Sequence, residues 1–298
     1  MVAIRKKTIG KQTYYYLEHS FREGNRVEKK EKYLGKSLPK NIEKLKQQFT
    51  SEIYREKWFG LFDRIKEEYK AREKMLPPSA QEKELENFAI KFTYDTNRIE
   101  GSTLTFRETL MLLEKGITPN AKPLRDIKEA EAHRRIFYEM LDYKKELSLD
   151  TVLYFHKKLF EDTKKDIAGK IRQHQVTIAG SKFIPPFPAE VYPLLMDFFR
   201  WYRKNKDRIH PVELAAHVHL KLVTIHPFAD GNGRISRLMM NFVLNKHGFP
   251  LLNIPYEKRA GYYSSLERSQ IKKDETKFLQ WFFKRYLKEH AAFEKSSR

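Results

Sequence analysis

Twelve residues, from His226 to Arg237, bring together side chains that can bind phosphate and move a proton. His226 can accept a proton near neutral pH, and Asp230 offers the hard oxygen ligands that suit Mg²⁺ shared with phosphates. Arg234 and Arg237 are three residues apart, so they lie near each other on one helical turn, where planar guanidinium groups bind phosphate oxygens. The spacing therefore predicts a nucleotide phosphate site that carries its own base.

Two predicted helices position this stretch. The segment Pro211–Ile225 has a proline early and a glutamate in its first turn, which predicts a helix that leads into the stretch. Apolar residues after the stretch recur at helical spacing until Gly248. Gly231 and Gly233 let successive backbone N–H groups turn inward before the second helix, whose N-terminus attracts anions. We therefore expect an anion-binding loop at a helix N-terminus.

The stretch resembles the signature of the Fic family, His-x-Phe-x-(Asp/Glu)-Gly-Asn-Gly-Arg-x-x-Arg, at every fixed position. The resemblance implies a mainly α fold, with a Fic-type helical core and a β-hairpin flap. It also implies transfer of AMP from ATP to a protein hydroxyl, with release of pyrophosphate. The related death-on-curing kinases have lysine at the position of Gly233, so the glycine favours AMP transfer over phosphate transfer.

The same resemblance implies a role for each residue of the motif. His226 would be the base, Phe228 would anchor the loop in the core, and Asp230 would hold the cofactor Mg²⁺. Five residues would bind the phosphates of ATP, the first three the inner ones and the last two the outer ones: Gly231, Asn232, Gly233, Arg234 and Arg237.

A second motif lies upstream, where Thr96, Glu100 and Gly101 fit the family's inhibitory pattern, (Ser/Thr)-x-x-x-Glu-(Gly/Asn). Thr96 and Glu100 are four residues apart and share a helix face, and Gly101 is a natural helix end. The resemblance implies that Glu100 pairs with Arg237 and so removes this arginine from the γ-phosphate. Because the motif precedes the signature in one chain, it resembles the class with an N-terminal inhibitory helix.

A third segment, residues 169–186, alternates apolar and polar residues around a glycine turn, which predicts a β-hairpin. It resembles the Fic flap, whose strand edge pairs with the main chain of the target; a hairpin with only a structural role is the alternative. Four flap residues would then border the nucleotide: Ile178, Ala179, Gly180 and Ser181. Three further residues fall where family members line the adenine pocket: Tyr262, Tyr263 and Gln270.

Composition limits the class of protein. The 298 residues suffice for a sizeable core, and the absence of cysteine excludes disulfides and thiolate metal sites. His217 and His219 point to different sides of a predicted helix and lack the spacing of zinc ligands. The sequence has no run of 18 apolar residues and no signal-peptide pattern, so we expect a cytoplasmic protein without a membrane partner.

Four parts are predicted along the chain. They are a small basic β unit (1–38), a charged helix or linker (39–76), a helical segment with the inhibitory helix (80–145) and a Fic catalytic core (146–290).

Short alternating stretches in the first part predict a small antiparallel β unit. They are Thr13–Leu17 and Arg26–Leu34, with Gly24 between them and Gly35 at the end. In the second part a charged helix spans 39–75, until two prolines break it.

The charge of the chain leaves a second class of function open. The net charge is +20, and the first fifty residues hold thirteen Lys/Arg against five Asp/Glu. This excess predicts attraction to acidic proteins, anionic surfaces or nucleic acid. One alternative is therefore a regulator that binds nucleic acid through its basic N-terminus.

A second alternative lies within the family, where some members remove AMP from a modified protein and the inhibitory glutamate, here Glu100, positions a water. The expected partners of the main interpretation are ATP and a target protein with a Ser, Thr or Tyr hydroxyl. The sequence is compatible with a monomer or a homodimer.

Overall fold

The computed structural model describes residues 2–23 and 26–295. The chain forms two compact units, Met1–Asp63 and Arg64–Arg298.

The first unit contains an antiparallel sheet of three strands in the order β1 (Ala3–Ile9), β2 (Gln12–Glu23) and β3 (Arg26–Gly35). The predicted small antiparallel unit is thus confirmed, but β1 was not predicted. Most side chains of β1 are exposed, so this edge strand lacks the apolar alternation that marks a strand in a sequence. The turn expected at Gly24 lies outside the described residues.

The helix predicted over 39–75 forms in three consecutive pieces. They are α1 (Ile42–Tyr54), a π-helical turn (Arg55–Phe59) and α2 (Gly60–Met75). The π turn buries Trp58 and Phe59, and the sequence pattern does not distinguish such a turn from the α-helix around it. Pro77 and Pro78 separate α2 from the next helix, as expected.

Helices make up almost all regular structure of the second unit. After α2 come α3 (Pro78–Ile99), α4 (Phe106–Lys115), α5 (Leu124–Asp142), α6 (Leu149–Phe160), α7 (Pro188–Asn205), α8 (Pro211–Ile225), α9 (Asn232–Lys246), a 3₁₀ turn (Tyr256–Lys258), α10 (Arg259–Lys272), α11 (Thr276–Glu289) and α12 (Ala291–Lys295). The mainly α fold is therefore confirmed.

Helices α8 and α9 pack against each other at the centre of this unit. Most side chains of both helices are buried, including polar ones at the start of α9. The loop between the two helices is the predicted anion-binding stretch. The two ends of this loop are fixed in position because each is joined to a helix whose side chains pack in the core.

The flap segment differs from its prediction, because no strand forms between α6 and α7. Only a turn forms, with the Ser181 N–H donating to the Ile178 carbonyl at 3.1 Å. Side chains replace the missing ladder: Gln175 and Arg172 donate to the carbonyls of Pro185 and Pro186 at 3.0 and 2.6 Å. The two prolines also lack the N–H groups that a strand pair needs.

No helix within residues 2–23 and 26–295 is both long enough and apolar enough to span a membrane.

Candidate active site

His226 ends α8 in a left-handed conformation, with φ of 53°. This turn directs the imidazole away from the helix axis, and its Nδ1 lies 3.2 Å from the Val223 carbonyl. A carbonyl only accepts, so Nδ1 carries the proton and Nε2 keeps the free lone pair of a base. Burial lowers the pKa of His226, which keeps the ring neutral and able to accept a proton.

Arg172, which the sequence did not single out, holds this loop in place. Its Nε donates to the His226 carbonyl at 2.8 Å and its backbone N–H donates to the Pro227 carbonyl at 3.0 Å. The same guanidinium reaches the flap carbonyls of His174 and Pro186 at 3.0 and 2.6 Å. Arg172 is 3% exposed, so one buried cation joins the flap segment to the loop that follows His226.

Asn232 closes the loop through its side chain. Its Oδ1 accepts the Phe228 N–H at 2.9 Å, and its Nδ2 donates to the Phe228 carbonyl at 2.8 Å. The carboxamide expected on the inner phosphates is therefore engaged within the loop. Phe228 is buried as expected, and its ring stacks on His156 with 3.7 Å between centroids.

His156 is a second structural residue that the sequence did not reveal. Its Nδ1 accepts the Gly169 N–H at 2.9 Å, so its Nε2 carries the proton and donates to the Asp230 carbonyl at 3.0 Å. Burial lowers the pKa of His156 to about 4, which keeps this tautomer neutral near physiological pH.

Both glycines of the loop are required by close neighbours. A Cβ on Gly231, whose φ is +81°, would lie 2.4 Å from the Phe160 ring. A Cβ on Gly233 would lie 2.1 Å from Glu100 Oε1. Glu100 therefore places a carboxylate oxygen against the first turn of α9, in the space that a side chain at position 233 would take.

Asp230 lies in a cluster of charges. Its Oδ2 accepts from Lys164 Nζ at 2.5 Å, and its Oδ1 accepts from the Gly231 N–H at 2.5 Å and from Arg234 at 3.2 Å. Burial alone would raise the pKa of Asp230, but the charge of Arg234 and the bond from Lys164 outweigh it and lower the pKa to about 2. Glu129 pairs with both cations, at 3.0 Å from Lys164.

Arg237 is 1% exposed and engages four acceptors on two helices. Its Nε and one terminal nitrogen donate to the Thr96 hydroxyl and carbonyl at 2.5 and 3.0 Å. The terminal nitrogens also donate to Glu100 Oε1 at 2.7 Å and to the Tyr262 hydroxyl at 3.3 Å. The structure thus brings the two predicted motifs together, and Gly101 follows α3 with φ of +95°.

A small polar cavity of about 80 Å³ lies between the two motifs. Glu100, Lys164, Asp230 and Arg234 line it, and the carboxylate of Glu100 is about one quarter exposed there. The first turn of α9 borders this cavity through Arg234. The described site therefore combines a neutral imidazole, a helix N-terminus, two arginines and an ionised carboxylate.

Three residues expected at the adenine lie in different surroundings. Tyr262 is 1% exposed, and its hydroxyl is within 2.9 Å of His219 Nε2, so its ring is a core group behind Arg237. Tyr263 is 45% exposed, and its hydroxyl donates to the Ile99 carbonyl at 2.9 Å. Gln270 lines a separate cavity of about 420 Å³ and donates to Thr224 at 3.2 Å.

The expected flap residues Ile178, Ala179, Gly180 and Ser181 form one turn. This turn is tied to α10, because the Lys182 N–H donates to Glu267 Oε1 at 2.7 Å. The flap tip and the helix of Tyr263 and Gln270 are thus neighbours.

Comparison with known proteins agrees with this geometry. The model of the Fic/DOC family matches residues 146–244. The structure of a segment of Fic-1 from Caenorhabditis elegans is 30% identical, with a TM-score of 0.68, over 86% of this chain and 77% of that one. The chain belongs to the Fic family. A Fic-domain signalling protein from Bacteroides thetaiotaomicron is also similar, with 27% identity, a TM-score of 0.69, and coverage of 78% and 96%.

Curated Fic proteins match a shorter region. The protein adenylyltransferase fic-1 of Caenorhabditis briggsae is 37% identical over 186 residues, which are 60% of this chain and 36% of that protein. The protein adenylyltransferase Fic of Drosophila melanogaster is 34% identical over 178 residues, 58% of this chain and 36% of that one. The chain spans little more than a third of the length of these relatives.

The Fic motif itself gave no sign of Lys164, Glu129 or Arg172. Lys164 and Asp230 are 66 residues apart, and Glu129 and Arg234 are 105 apart, so only the packing of α5 and α6 on α9 unites them. Arg172, three residues after Gly169 at the start of the flap segment, is not distinctive in a chain with 59 Lys/Arg.

The burial of His226 leads to a testable prediction. We expect His226 to become protonated below the ordinary histidine pKa of about 6.5, because a buried imidazolium loses hydration. Long-range ¹H–¹⁵N NMR across a pH titration measures this, with His226→Gln to assign the signal. The neutral ring should show the Nδ1–H tautomer. A pKa above the ordinary value, or the Nε2–H tautomer, would contradict the assignment of Nε2 as the base.

Proposed function

We propose that this chain transfers AMP from ATP to a hydroxyl group of a protein, and that Glu100 inhibits this reaction within the same chain. The observation that carries the proposal is the contact of Arg237 with Glu100 at the N-terminus of α9, next to the neutral His226. The names of the curated relatives, protein adenylyltransferases, support the same reaction.

In this reaction the first turn of α9 binds the phosphates of ATP. Its free N–H groups and the positive end of the helix dipole favour anions, and two arginines extend the site outward. Arg234 already faces the polar cavity, while Arg237 becomes available only when Glu100 leaves it. The phosphates then hold the α-phosphorus near the base.

His226 removes the proton from the target hydroxyl as its oxygen attacks the α-phosphorus. A new P–O bond to the protein forms, the bond between the α-phosphorus and the bridging oxygen breaks, and pyrophosphate leaves with both bonding electrons. The proton ends on Nε2, and Nδ1–H stays bonded to the Val223 carbonyl, which steadies the imidazolium.

Asp230 is the residue that would hold Mg²⁺. Its Oδ2 already binds a cation, the ammonium of Lys164, so the position accepts positive charge. Within the described residues, no three His, Cys, Asp or Glu side chains form a metal cluster, and Mg²⁺ shared between one carboxylate and substrate phosphates needs none. When bound, the metal supplies charge that offsets the negative charge of the departing pyrophosphate.

Inhibition follows from the space that Glu100 occupies as well as from its charge. Its Oε1 bonds Arg237 and lies against Gly233, where an outer phosphate would need to approach the helix N-terminus. A carboxylate beside free N–H groups satisfies the same anion preference that a phosphate would satisfy. The flap and α10 residues Ile178, Ala179, Gly180, Ser181, Tyr263 and Gln270 belong to the proposed nucleotide and target surfaces.

Replacement of Glu100 by glycine tests the function and its inhibition together. Glu100→Gly should bind ATP about 10- to 100-fold more tightly, the value of one charge-assisted bond of about 1.5–3 kcal/mol to the freed guanidinium. It should also acquire a covalent AMP adduct in the presence of Mg²⁺. Isothermal calorimetry and intact-protein mass spectrometry measure the two effects.

The matched control is the double variant Glu100→Gly with His226→Ala, which should bind ATP tightly and carry no adduct. An absence of adduct on Glu100→Gly, with no more labelling of lysate proteins than for wild type, would refute both roles. If wild type instead hydrolyses AMP from a modified protein and Glu100→Gly loses this activity, the chain is a deAMPylase in which Glu100 positions water.

A separate observation favours a second function for the first unit. On β2 and β3, Tyr16 and Tyr33 are directly opposite, with ring centroids 5.2 Å apart, and Tyr14 lies 6.2 Å from Tyr33. Lys7 Nζ lies 4.6 Å from the Tyr16 ring. The opposite face of β3 is engaged elsewhere, since Lys32 bonds Glu52 of α1 at 2.8 Å.

The tyrosines and lysines of this sheet face suit single-stranded nucleic acid, and a backbone phosphate would compete for Lys7 with Glu31, which accepts from its Nζ at 2.6 Å. The bases of a single strand stack on aromatic rings, and its backbone phosphates are attracted by lysines. Tyr33 is 54% exposed, which leaves its ring accessible for stacking. We infer that this face binds a single strand, in addition to the activity of the second unit.

Tyr33→Ala in the full chain tests this inference. The variant should bind a fluorescent single-stranded oligonucleotide with an affinity lower by about 1–3 kcal/mol, the cost of losing one stacked base. Tyr192→Ala is the control, because Tyr192 is 56% exposed and lies on α7 of the other unit. Anisotropy titrations at several salt concentrations measure both. Equal affinities of the two variants, or stronger binding of duplex, would refute the inference.

A further inference from the structure

Lys164 lies between two carboxylates, those of Asp230 and Glu129, which belong to different parts of the second unit. Its Nζ lies 2.5 Å from Asp230 Oδ2, on the loop before α9, and 3.0 Å from Glu129 Oε1, on α5. It also lies 4.9 Å from the centroid of the Phe160 ring, at the end of α6. About a quarter of its side chain is exposed, so the ammonium is held by neighbours on most sides and can still move toward solvent.

Every oxygen of Asp230 is engaged in this arrangement. The Oδ2 atom binds Lys164, and the Oδ1 atom accepts from Gly231 and Arg234. A divalent cation bound to Asp230 through Oδ2 would lie close to the ammonium of Lys164, which is 2.5 Å from this oxygen, and the repulsion between the two cations favours displacement of the ammonium. Lys164 is therefore in competition with any metal at Asp230.

We propose that Lys164 stands in for the metal at Asp230: it neutralises this carboxylate while no metal is bound, and Mg²⁺ brought by ATP displaces it. The proposal rests on the proposed function, since it assumes that ATP and Mg²⁺ bind beside Asp230. When ATP binds without metal, the carboxylate of Asp230 is therefore still neutralised by Lys164. Without Lys164, the carboxylates of Asp230 and Glu129 repel metal-free triphosphate and attract Mg²⁺ more strongly.

The measurable quantity is the ratio between the affinity for ATP at saturating Mg²⁺ and the affinity in EDTA. Lys164→Met should raise this ratio on the order of tenfold, as expected for one partly buried charge pair. In EDTA the loss of the ammonium should weaken ATP binding. In Mg²⁺ the loss of the competing cation should strengthen it, so both effects raise the ratio. Isothermal calorimetry in the background Glu100→Gly with His226→Ala measures it without turnover.

Two control variants separate this role from a general effect of charge or folding. Lys165→Met removes the adjacent, exposed lysine and should leave the ratio unchanged. Lys164→Arg keeps a cation that can bridge the two carboxylates and should stay near the wild-type ratio. Thermal unfolding of each variant checks that the fold is retained, and the ratio is compared within one variant, so a partly unfolded fraction does not change it.

The proposal is overturned if Lys164→Met and Lys165→Met give the same ratio. It is also overturned if Lys164→Met weakens ATP equally with and without Mg²⁺, because Lys164 would then be a phosphate ligand. These outcomes leave the proposed function intact, since ATP still binds. If no variant binds ATP under any condition, the proposed function fails and this proposal fails with it.

Discussion

A buried guanidinium organises the centre of the second unit. Arg237 has almost no contact with water, so each of its N–H groups needs an acceptor from the protein. Thr96 and Glu100 supply acceptors from the end of α3, and Tyr262 supplies one from α10. These bonds fix α3 and α10 relative to α9, because a displacement of either helix would leave a charged donor unpaired in the interior. The positions of Thr96 and Glu100 beside α9 thus provide acceptors that this buried arginine needs.

The electrostatics of the adjacent cavity follow from the same arrangement. Four carboxylates, Glu100, Asp126, Glu129 and Asp230, and three cations, Arg125, Lys164 and Arg234, line it. With Glu100 in place the lining therefore carries more negative than positive charge, which opposes the entry of an anion. Without Glu100 the lining would carry three carboxylates and three cations, and Arg237 would lose its acidic partner. Glu100 follows the last turn of α3 and its side chain is partly exposed.

Local patterns determined how much of this could be predicted. The helix Pro211–Ile225 has the predicted bounds because a proline, a helical apolar period and the following loop all act within one segment. The contact of Glu100 with Arg237 was predicted from two motifs of the family rather than from spacing. By contrast, β1 was missed because its charged, exposed side chains show no alternation, and the hairpin was wrong because side chains of Arg172 and Gln175 replaced the ladder bonds.

The charge cluster was beyond prediction for a different physical reason. Lys164, Glu129 and Asp230 come from three elements, and one lysine or glutamate among many has no distinguishing neighbour in the sequence. Tyr262 also shows that an aromatic residue at a family position can serve the core, because its hydroxyl was needed by Arg237 and His219. Such a role depends on which buried polar groups need a hydrogen-bond partner after the helices have packed.

The absence of a side chain on Gly233 decides which groups have room beside the first turn of α9. Glu100 Oε1 fills the space that a Cβ would take, and a phosphate oxygen would need the same space after Glu100 leaves. Under the proposed function this one gap would be filled in turn by two anionic groups. A larger residue at position 233 would obstruct both Glu100 and the nucleotide, so it would not release the inhibition that we propose. A substitution of Glu100 itself would leave the gap open to the nucleotide.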